Sequence, residues 1–419
     1  MPRRKDLSSF ERVVTIQSLL EGSKSGKPDR GKITAAVQKW SYLSKRSTIR
    51  RLACGIKCSK STVGRWIKYG LIRAHSNAIK SDLTAPNKLL RLRFSLEALE
   101  YDMILRSLTF KSMHNTIHID EKWFYITKSA QRFYLTPEEI EPHRTCKKKK
   151  LITNVMFMCD VCRPVFGVDG SRLFDGKIEN FPFTELVPTK RNSKNRAAGT
   201  MEWKPIQSIT KQVVKDCLIN QIVPAIKAKW PANASKTIYI QQDNVRPHIQ
   251  DSDPDFRAIA SADGFDIHLV HQPPNSPDTN INDLGCFRAI QSLQTELVCT
   301  NMDDLVNVVI NSCNELSPNT LNKVFLSMQS CMVEILKVKG RNSYKIPHLW
   351  NDALIRQDML PLNLQVLSEL VRECISYLIG NGALSINDTL MKELGVHAGC
   401  TDEIEMMVRH LQLQGIEVM

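Results

Sequence analysis

Three aspartates stand out by their settings. Asp120 lies in "HIDEKWFYITK", where Ile117 and Ile119 alternate with His118, so its carboxylate projects from an otherwise apolar and aromatic strand. Asp243 ends the apolar run "KTIYI" in "QQDNVRPH", which crowds an acid, an amide, a guanidinium and an imidazole where a strand runs out. A third acid comes from "QPPNSPDTNINDLGCFRAIQSLQ", with two candidates. Asp278 sits between Pro277 and Thr279 in a turn, where an exposed or capping acid is expected. Asp283 stands in or near the first turn of a helix whose Phe287 and Ile290 mark the buried side, and ligands need such rigid support. Three acids held this way offer hard oxygen ligands to two Mg²⁺ or Mn²⁺ ions. A cation pair about 3.5–4 Å apart activates the attacking oxygen and steadies the leaving oxygen in displacement at phosphorus. Each acid also has a plainer reading as a solvated turn residue, and Asp243 and Asn244 can cap the next element, with Pro247 in its first turn.

The elements that would position these acids are short. From about residue 114 the pattern changes to β-rich runs separated by helices, an α/β signature. "LITNVMFM" and "RPVFGVDG" read as a hairpin whose turn holds Cys159 and Cys162. That close-set pair lacks a second pair or histidines at zinc-ligand spacing, which favours a strand-and-turn accident over a zinc site. Residues 207–229 read as a long helix interrupted near Pro224, crossing over to the strand that Asp243 ends. A strand, a proline turn and a helix then carry Asp278 and Asp283.

Charge is distributed unevenly. The net charge is +14; the first 95 residues hold 22 Lys and Arg against 5 Asp and Glu, and the rest hold 35 against 38. One end is built for a polyanion and the body for something else. In "RSTIRRLACGIKCSKSTVGRWIKYGL", Ile49, Leu52, Ala53 and Ile56 fall at helical spacing. After a break, Ser59 or Ser61 can cap a second helix with Val63, Trp66 and Ile67 inside. Two short helices crossing at a small residue form a helix-turn-helix. The outer positions of the second helix, Lys60, Ser61, Thr62, Gly64, Arg65 and Lys68, suit the major groove of double-stranded DNA. Upstream, "FERVVTIQSLLEGS" and "GKITAAVQKWS" could open a similar unit whose third helix is absent. Downstream, Leu89, Leu92 and Leu96 mark a connecting helix.

No stretch approaches eighteen uncharged apolar residues, and "MPRRKDLSSFERVV" lacks the apolar core of a secretory signal, so neither a membrane nor export is indicated. The twelve scattered cysteines suit reduced, mostly buried thiols in an intracellular chain.

"HIDEKWFYITK", "QQDNVRPH" and "QPPNSPDTNINDLGCFRAIQSLQ" together resemble the three catalytic blocks of plant mariner-like transposases of the DDD type. Their hallmark is 39 residues between the second and third aspartates, the number found between Asp243 and Asp283; Asp278 does not give it. "FDGKIENFPF", "KRNSKNRAAGT" and "SMQSCMVEILKVKGRNSYKIPH" extend the likeness over most of residues 46–350.

The resemblance implies a ribonuclease H-like catalytic domain with a central mixed sheet, preceded by an all-α helix-turn-helix region. The divisions expected are a truncated N-terminal helical region at 1–45, the helix-turn-helix at 46–80, and a linker with its connecting helix at 81–113. The catalytic domain at 114–300 and a helical region at 301–419 follow. It implies cut-and-paste transposition, with binding of terminal inverted repeats, strand cleavage and joining of the freed end to target DNA, in a nuclear homodimer. Asp120, Asp243 and Asp283 match the metal-binding triad. Asn244 and His248, in the block of Asp243, would position water or the scissile phosphate, a structural role for His248 being the alternative. Lys190, Arg191, Lys194 and Arg196 form either a DNA-contacting insertion or a solvated basic loop. "CKKKK" at 146–150 and "RRK" at 3–5 are short basic clusters that would permit nuclear import. The family carries two helix-turn-helix units, so the shortened first one is expected to weaken end recognition. It also leaves open a transposase-derived DNA-binding protein without catalysis. Asn282 departs from the family, which favours an apolar residue there.

Overall fold

The computed structural model describes residues 48–56, 58–72, 80–102, 107–126, 153–192, 197–297, 299, 301–347 and 361–382. The chain divides into two compact units, Met1–Lys80 and Ser81–Met419.

The first unit contains α1 (Ile49–Ile56) and α2 (Lys60–Lys68). Ser59, in extended backbone, is the cap of α2 and accepts from the Thr62 amide at 3.1 Å, satisfying one of the donors a helix start leaves free. Leu52 and Ala53 pack on Val63 and Trp66 as a small core of their own. Ile49, expected inside, is exposed. Residues 1–45 lie outside the described residues.

The second unit opens with α3 (Ala85–Glu97), a hairpin of β1 (Leu99–Asp102) and β2 (Ser107–Phe110), and then the long strands β3 (Thr116–Tyr125) and β4 (Asn154–Cys162). After β5 (Val165–Phe166) and β6 (Arg172–Phe174) come β7 (Lys177–Pro182) and a second hairpin of β8 (Thr184–Pro188) and β9 (Met201–Pro205). A helix runs as α4 (Lys211–Cys217), one π turn (Leu218–Ile222) and α5 (Val223–Lys229). The expected interruption is thus a π turn immediately before Pro224, whose missing N–H suits a break in the ladder. Next come β10 (Thr237–Gln242), α6 (Pro254–Ala260) and β11 (Asp266–His271), then a π turn (Asn282–Cys286) leading into α7 (Phe287–Gln294). The unit closes with α8 (Met302–Glu315), α9 (Pro318–Lys337), β12 (Gln365–Val366) and α10 (Ser368–Gly380).

The central sheet has the order β11-β10-β3-β4-β7. β3, β10 and β11 are parallel, and β4 and β7 are antiparallel additions. Alternation along the strands feeds two cores. Phe124, Val155, Phe157 and Val161 pack with Phe287, Ile290, Val309 and Phe325 on one face. Ile117, Ile119, Met158, Ile238, Ile240 and Ile267 pack with Val214, Leu218, Ile226 and Phe256 on the other. This is a mixed α/β sheet with helices on both faces, the ribonuclease H-like arrangement. The fold corrects one expectation. Cys159 and Cys162 are not in a turn, because β4 runs through both. Side-chain alternation sends Cys159 to one core and Cys162 to the other, so the two thiols cannot share a zinc ion. Among the described residues no helix is long and apolar enough to cross a membrane.

Candidate active site

β3 carries Asp120 on the face it shares with His118 and Phe124. β3 and β10 are in register from Thr116–Tyr239 to His118–Gln241. The pairing stops there, so Asp243, two residues beyond Gln241, follows the last pair as Asp120 does, two residues beyond His118. Asp243 sits one residue past the end of β10, where its Oδ1 accepts from the Val245 amide at 3.1 Å. That bond closes a local turn only; the next helix, α6, begins at Pro254 and is capped by Asp253, so the helix cap expected of Asp243 and Asn244 is not found.

Asp283 arrives from the other side of the chain, inside the π turn that begins α7. The turn is fixed by Asn282, whose buried Nδ2 donates to the carbonyls of His118 (3.1 Å) and Cys159 (3.2 Å). This buried polar residue thereby ties the Asp283 segment to the two strands beneath it. Asn280 completes the tie. Its Oδ1 accepts from the Asn282 amide at 2.9 Å, and its Nδ2 donates to Asp120 Oδ2 at 3.1 Å. The other Asp120 oxygen accepts from the Glu121 amide at 2.8 Å. A π turn adds a residue to the helical circuit, which lets Asp283 stay exposed while Phe287 and Ile290 enter the core.

The three carboxylates lie within electrostatic reach of one another. Burial first, then Asp283, Glu121 and Asp243, push the Asp120 carboxyl up to about 8. Asp283 is raised by partial burial; Lys122 opposes that and Asp243 adds to it. Lys122, two residues beyond Asp120 on the same strand face, holds its Nζ 4.8 Å from the centroid of the Phe287 ring. Asp243 goes the other way. Burial would raise it, but His248 bonds to it and keeps it below the usual carboxylate range.

His248 is nearly fully buried and wedged between two acids, with Nδ1 3.0 Å from Asp243 Oδ1 and Nε2 2.9 Å from Glu121 Oε1. Burial would lower its pKa, yet these bonds raise it to about 10, so the ring is an imidazolium at neutral pH. Both nitrogens are engaged. His248 is thus hydrogen-bonded on both sides, the arrangement of the structural alternative. Asn244 donates Nδ2 to the Gln272 carbonyl at 2.6 Å and closes the exit of β10 against that of β11. His118, packed edge-on to Phe325 at 5.6 Å, is pushed down to about 3 by burial and stays neutral.

Asp278, expected to be an exposed or capping acid, is an internal anchor. The fully buried Arg91 of α3 grips both its oxygens at 2.7 Å, Tyr344 donates to Oδ2, and Arg91 Nε reaches the Gly340 carbonyl at 3.0 Å. The pair fixes the turn five residues before Asp283. Burial raises the Asp278 carboxyl, but the bonds from Arg91 outweigh it and the net shift is downward.

The donor set suits a hard divalent cation. The acids are all-oxygen ligands, and their mutual repulsion, visible in the raised Asp120 carboxyl, is the kind that a cation relieves. Among the described residues no three His, Cys, Asp or Glu side chains are grouped as a metal cage.

No family model and no curated protein matches the chain. Among solved structures it is similar to a pre-cleavage Mos1 transpososome, with a TM-score of 0.51 and 14% identity over 77% of this chain and 83% of that one. The Mos1 mariner paired end complex with Mn gives 0.48 and 15% over 80% and 86%. The catalytic domain of Mos1 mariner transposase gives 0.37 and 12% over 64% and 100%. The fold is shared with the Mos1 transposase. At such identity the likeness is one of architecture, and the ribonuclease H-like sheet order described above agrees with it.

In the first unit Lys60, Ser61, Arg65 and Lys68 are exposed along α2, as expected, and Gly64 leaves open space beside them. Thr62 is half-buried, and its hydroxyl and that of Ser61 turn back to Ser59 at 2.8 and 2.7 Å. These two support the cap, which leaves the cations as the outward groups. Lys190 and Arg191 are exposed just past β8; Lys194 and Arg196 lie outside the described residues, as does the basic run at 146–150. Glu121, Lys122, Asn280 and Arg91 carry parts of the site that sequence reasoning missed. Glu121 and Lys122 had a signal, standing beside Asp120 in the same block. Arg91 had none, since its partner is 187 residues away.

Proposed function

We propose that the protein is a mariner-like DNA transposase. On this reading α2 binds the terminal inverted repeats of its element, and Asp120, Asp243 and Asp283 hold two Mg²⁺ or Mn²⁺ ions for strand cleavage and strand transfer, in a nuclear homodimer. The observation that carries the proposal is the mutual electrostatic influence of three carboxylates, from β3, from the exit of β10 and from the π turn before α7, in a mixed α/β sheet. When bound, the cations supply the positive charge that activates the attacking oxygen and stabilises the leaving one.

The chain's own residues do the positioning. Asp120, fixed by the Glu121 amide and Asn280, would offer its carboxylate to the cations. Asp243 is kept ionised by the His248 imidazolium. Asn282 and the Arg91–Asp278 pair set the height and angle of the Asp283 segment. Lys122, beside Asp283, adds a cation suited to the phosphate backbone. His248, bonded through both nitrogens to Asp243 and Glu121, would hold the Asp243 carboxylate in place.

The test is nicking of DNA bearing the element's inverted repeats, with and without Mg²⁺ or Mn²⁺, for the wild type and Asp243→Ala. Metal-dependent nicking that the substitution abolishes is expected. Cleavage that survives it would refute the site, and DNA binding without cleavage in either protein would favour the transposase-derived DNA-binding reading.

A further inference from the structure

We infer that Glu121 is a positioning residue for Asp243, acting through the His248 ring lodged between them. This rests on the reading of Asp243 as a metal-holding residue. Adjacent residues on a strand point to opposite faces, so Glu121 cannot join Asp120 on its side of the sheet. It turns to the other face, where its side chain is only 13% exposed. There it is anchored by the most rigid part of the fold, since Glu121 lies in the middle of the β3–β4 pairing, opposite Met158.

Asp243 has no such support. It stands beyond Gln242, the last paired residue of β10, in a loop. His248 connects the two. The chain doubles back through Pro247, with the His248 amide donating to the Val245 carbonyl at 3.1 Å. The ring reaches Asp243 through both its carboxylate, at 3.0 Å, and its carbonyl, at 3.1 Å. Its far nitrogen ends 2.9 Å from Glu121 Oε1. At 2% side-chain exposure the ring has no room to swing. Removing Glu121 would leave a buried ring nitrogen without an acceptor, and such a group reorients or recruits water. Asp243 would then lose the strut that fixes its direction. Partners of this kind, one step behind a ligand, typically change metal affinity or activity by about 10–100-fold.

The experiment uses the full chain and two readouts, Mn²⁺ binding without DNA by titration calorimetry, and nicking of inverted-repeat DNA. Glu121→Ala is expected to weaken Mn²⁺ binding by about 10–100-fold, and Glu121→Gln, which keeps an oxygen facing the ring, by less. Should Glu121→Ala fold poorly, the isosteric Glu121→Gln alone decides the matter. In a His248→Ala background Glu121→Gln should add no further loss, because coupled residues are not additive. A full additional loss there would make Glu121 a direct ligand and overturn the inference. Mn²⁺ binding and nicking within threefold of wild type in Glu121→Ala, beside loss of both in Asp243→Ala, would also overturn it and leave the proposed function standing. If Asp243→Ala itself nicks like the wild type, the proposed function fails, independently of Glu121.

Discussion

Replacing Asp120 with asparagine should make the metal-free protein less sensitive to alkaline pH. The carboxyl is displaced from 3.8 to about 8 by burial and by Asp283, Glu121 and Asp243. A raised carboxyl binds more protons folded than unfolded, so stability falls as pH rises between the two values. With about 1.4 kcal/mol per unit, linkage across pH 5 to 8 amounts to roughly 3–4 kcal/mol carried by this one group. The neutral amide removes that slope. Asparagine also meets a conflict, because Asp120 accepts from both the Glu121 amide and Asn280 Nδ2, and one of its two positions is now a donor. That cost is independent of pH, which makes the slope and not the absolute stability the diagnostic quantity. Asp160, buried with neither oxygen hydrogen-bonded, is likewise raised by burial, but it titrates in both proteins and cancels. Calorimetric Tm in chelator from pH 5 to 8 should show the wild type losing on the order of 5–10 °C relative to the variant. Mn²⁺ should restore the wild type most at the alkaline end, where it has least competition from the proton. Parallel pH profiles for the two proteins would show that burial and the neighbouring acids do not hold the Asp120 carboxyl up as described.

Three further outcomes are expected. Arg91→Met leaves Asp278 buried without its cation and should cost about 3–5 kcal/mol, read as a fall in Tm. Because the Asp278 shift is downward, that contribution should vanish only as pH drops below the ordinary carboxylate range. Gly340→Ala should be far more damaging than Gly382→Ala. Both have positive φ, but a Cβ at 340 would meet the Lys88 carbonyl at 1.9 Å while 382 is open, so denaturation should separate roughly 3 kcal/mol or more from about 1 kcal/mol. Arg65→Ala and Lys60→Ala should each weaken binding to repeat DNA and flatten its salt dependence by about 0.9 per lost phosphate contact, as measured by anisotropy across a salt series.

The strands that position Asp120 and Asp243 were legible because each opens as a short apolar alternation that leads to an acid. Period-2 patterning assigns a face as well as an element, and the Ile117/Ile119 and Ile238/Ile240 pairs do enter the same core. β4 was misread for the opposite reason. It is buried on both faces, so Cys159 to Cys162 shows no alternation that would distinguish strand from turn. The π turn before α7 was invisible, since it keeps helical composition and differs only by the residue it adds.

Asp278 and Asp283 show why a site is harder to read than a fold. Local rules assigned Asp278 to the surface, because a Pro-Asp-Thr turn is normally wet, and nothing nearby contradicts them. The contradiction comes from Arg91, which has no place in water once α3 packs down. A fully buried guanidinium needs acceptors for its donors, and Asp278 is the acid the turn presents to Arg91. That demand also stiffens the base from which Asp283 rises, so the acid with no expected chemistry supports the one expected to have it. Glu121 follows the same logic in reverse. It reads as a second acid beside Asp120, but strand geometry turns it away from Asp120, and its partner is set by where the loop after β10 folds back. What a sequence hides in such a site is the set of charges that must meet because burial leaves them no alternative.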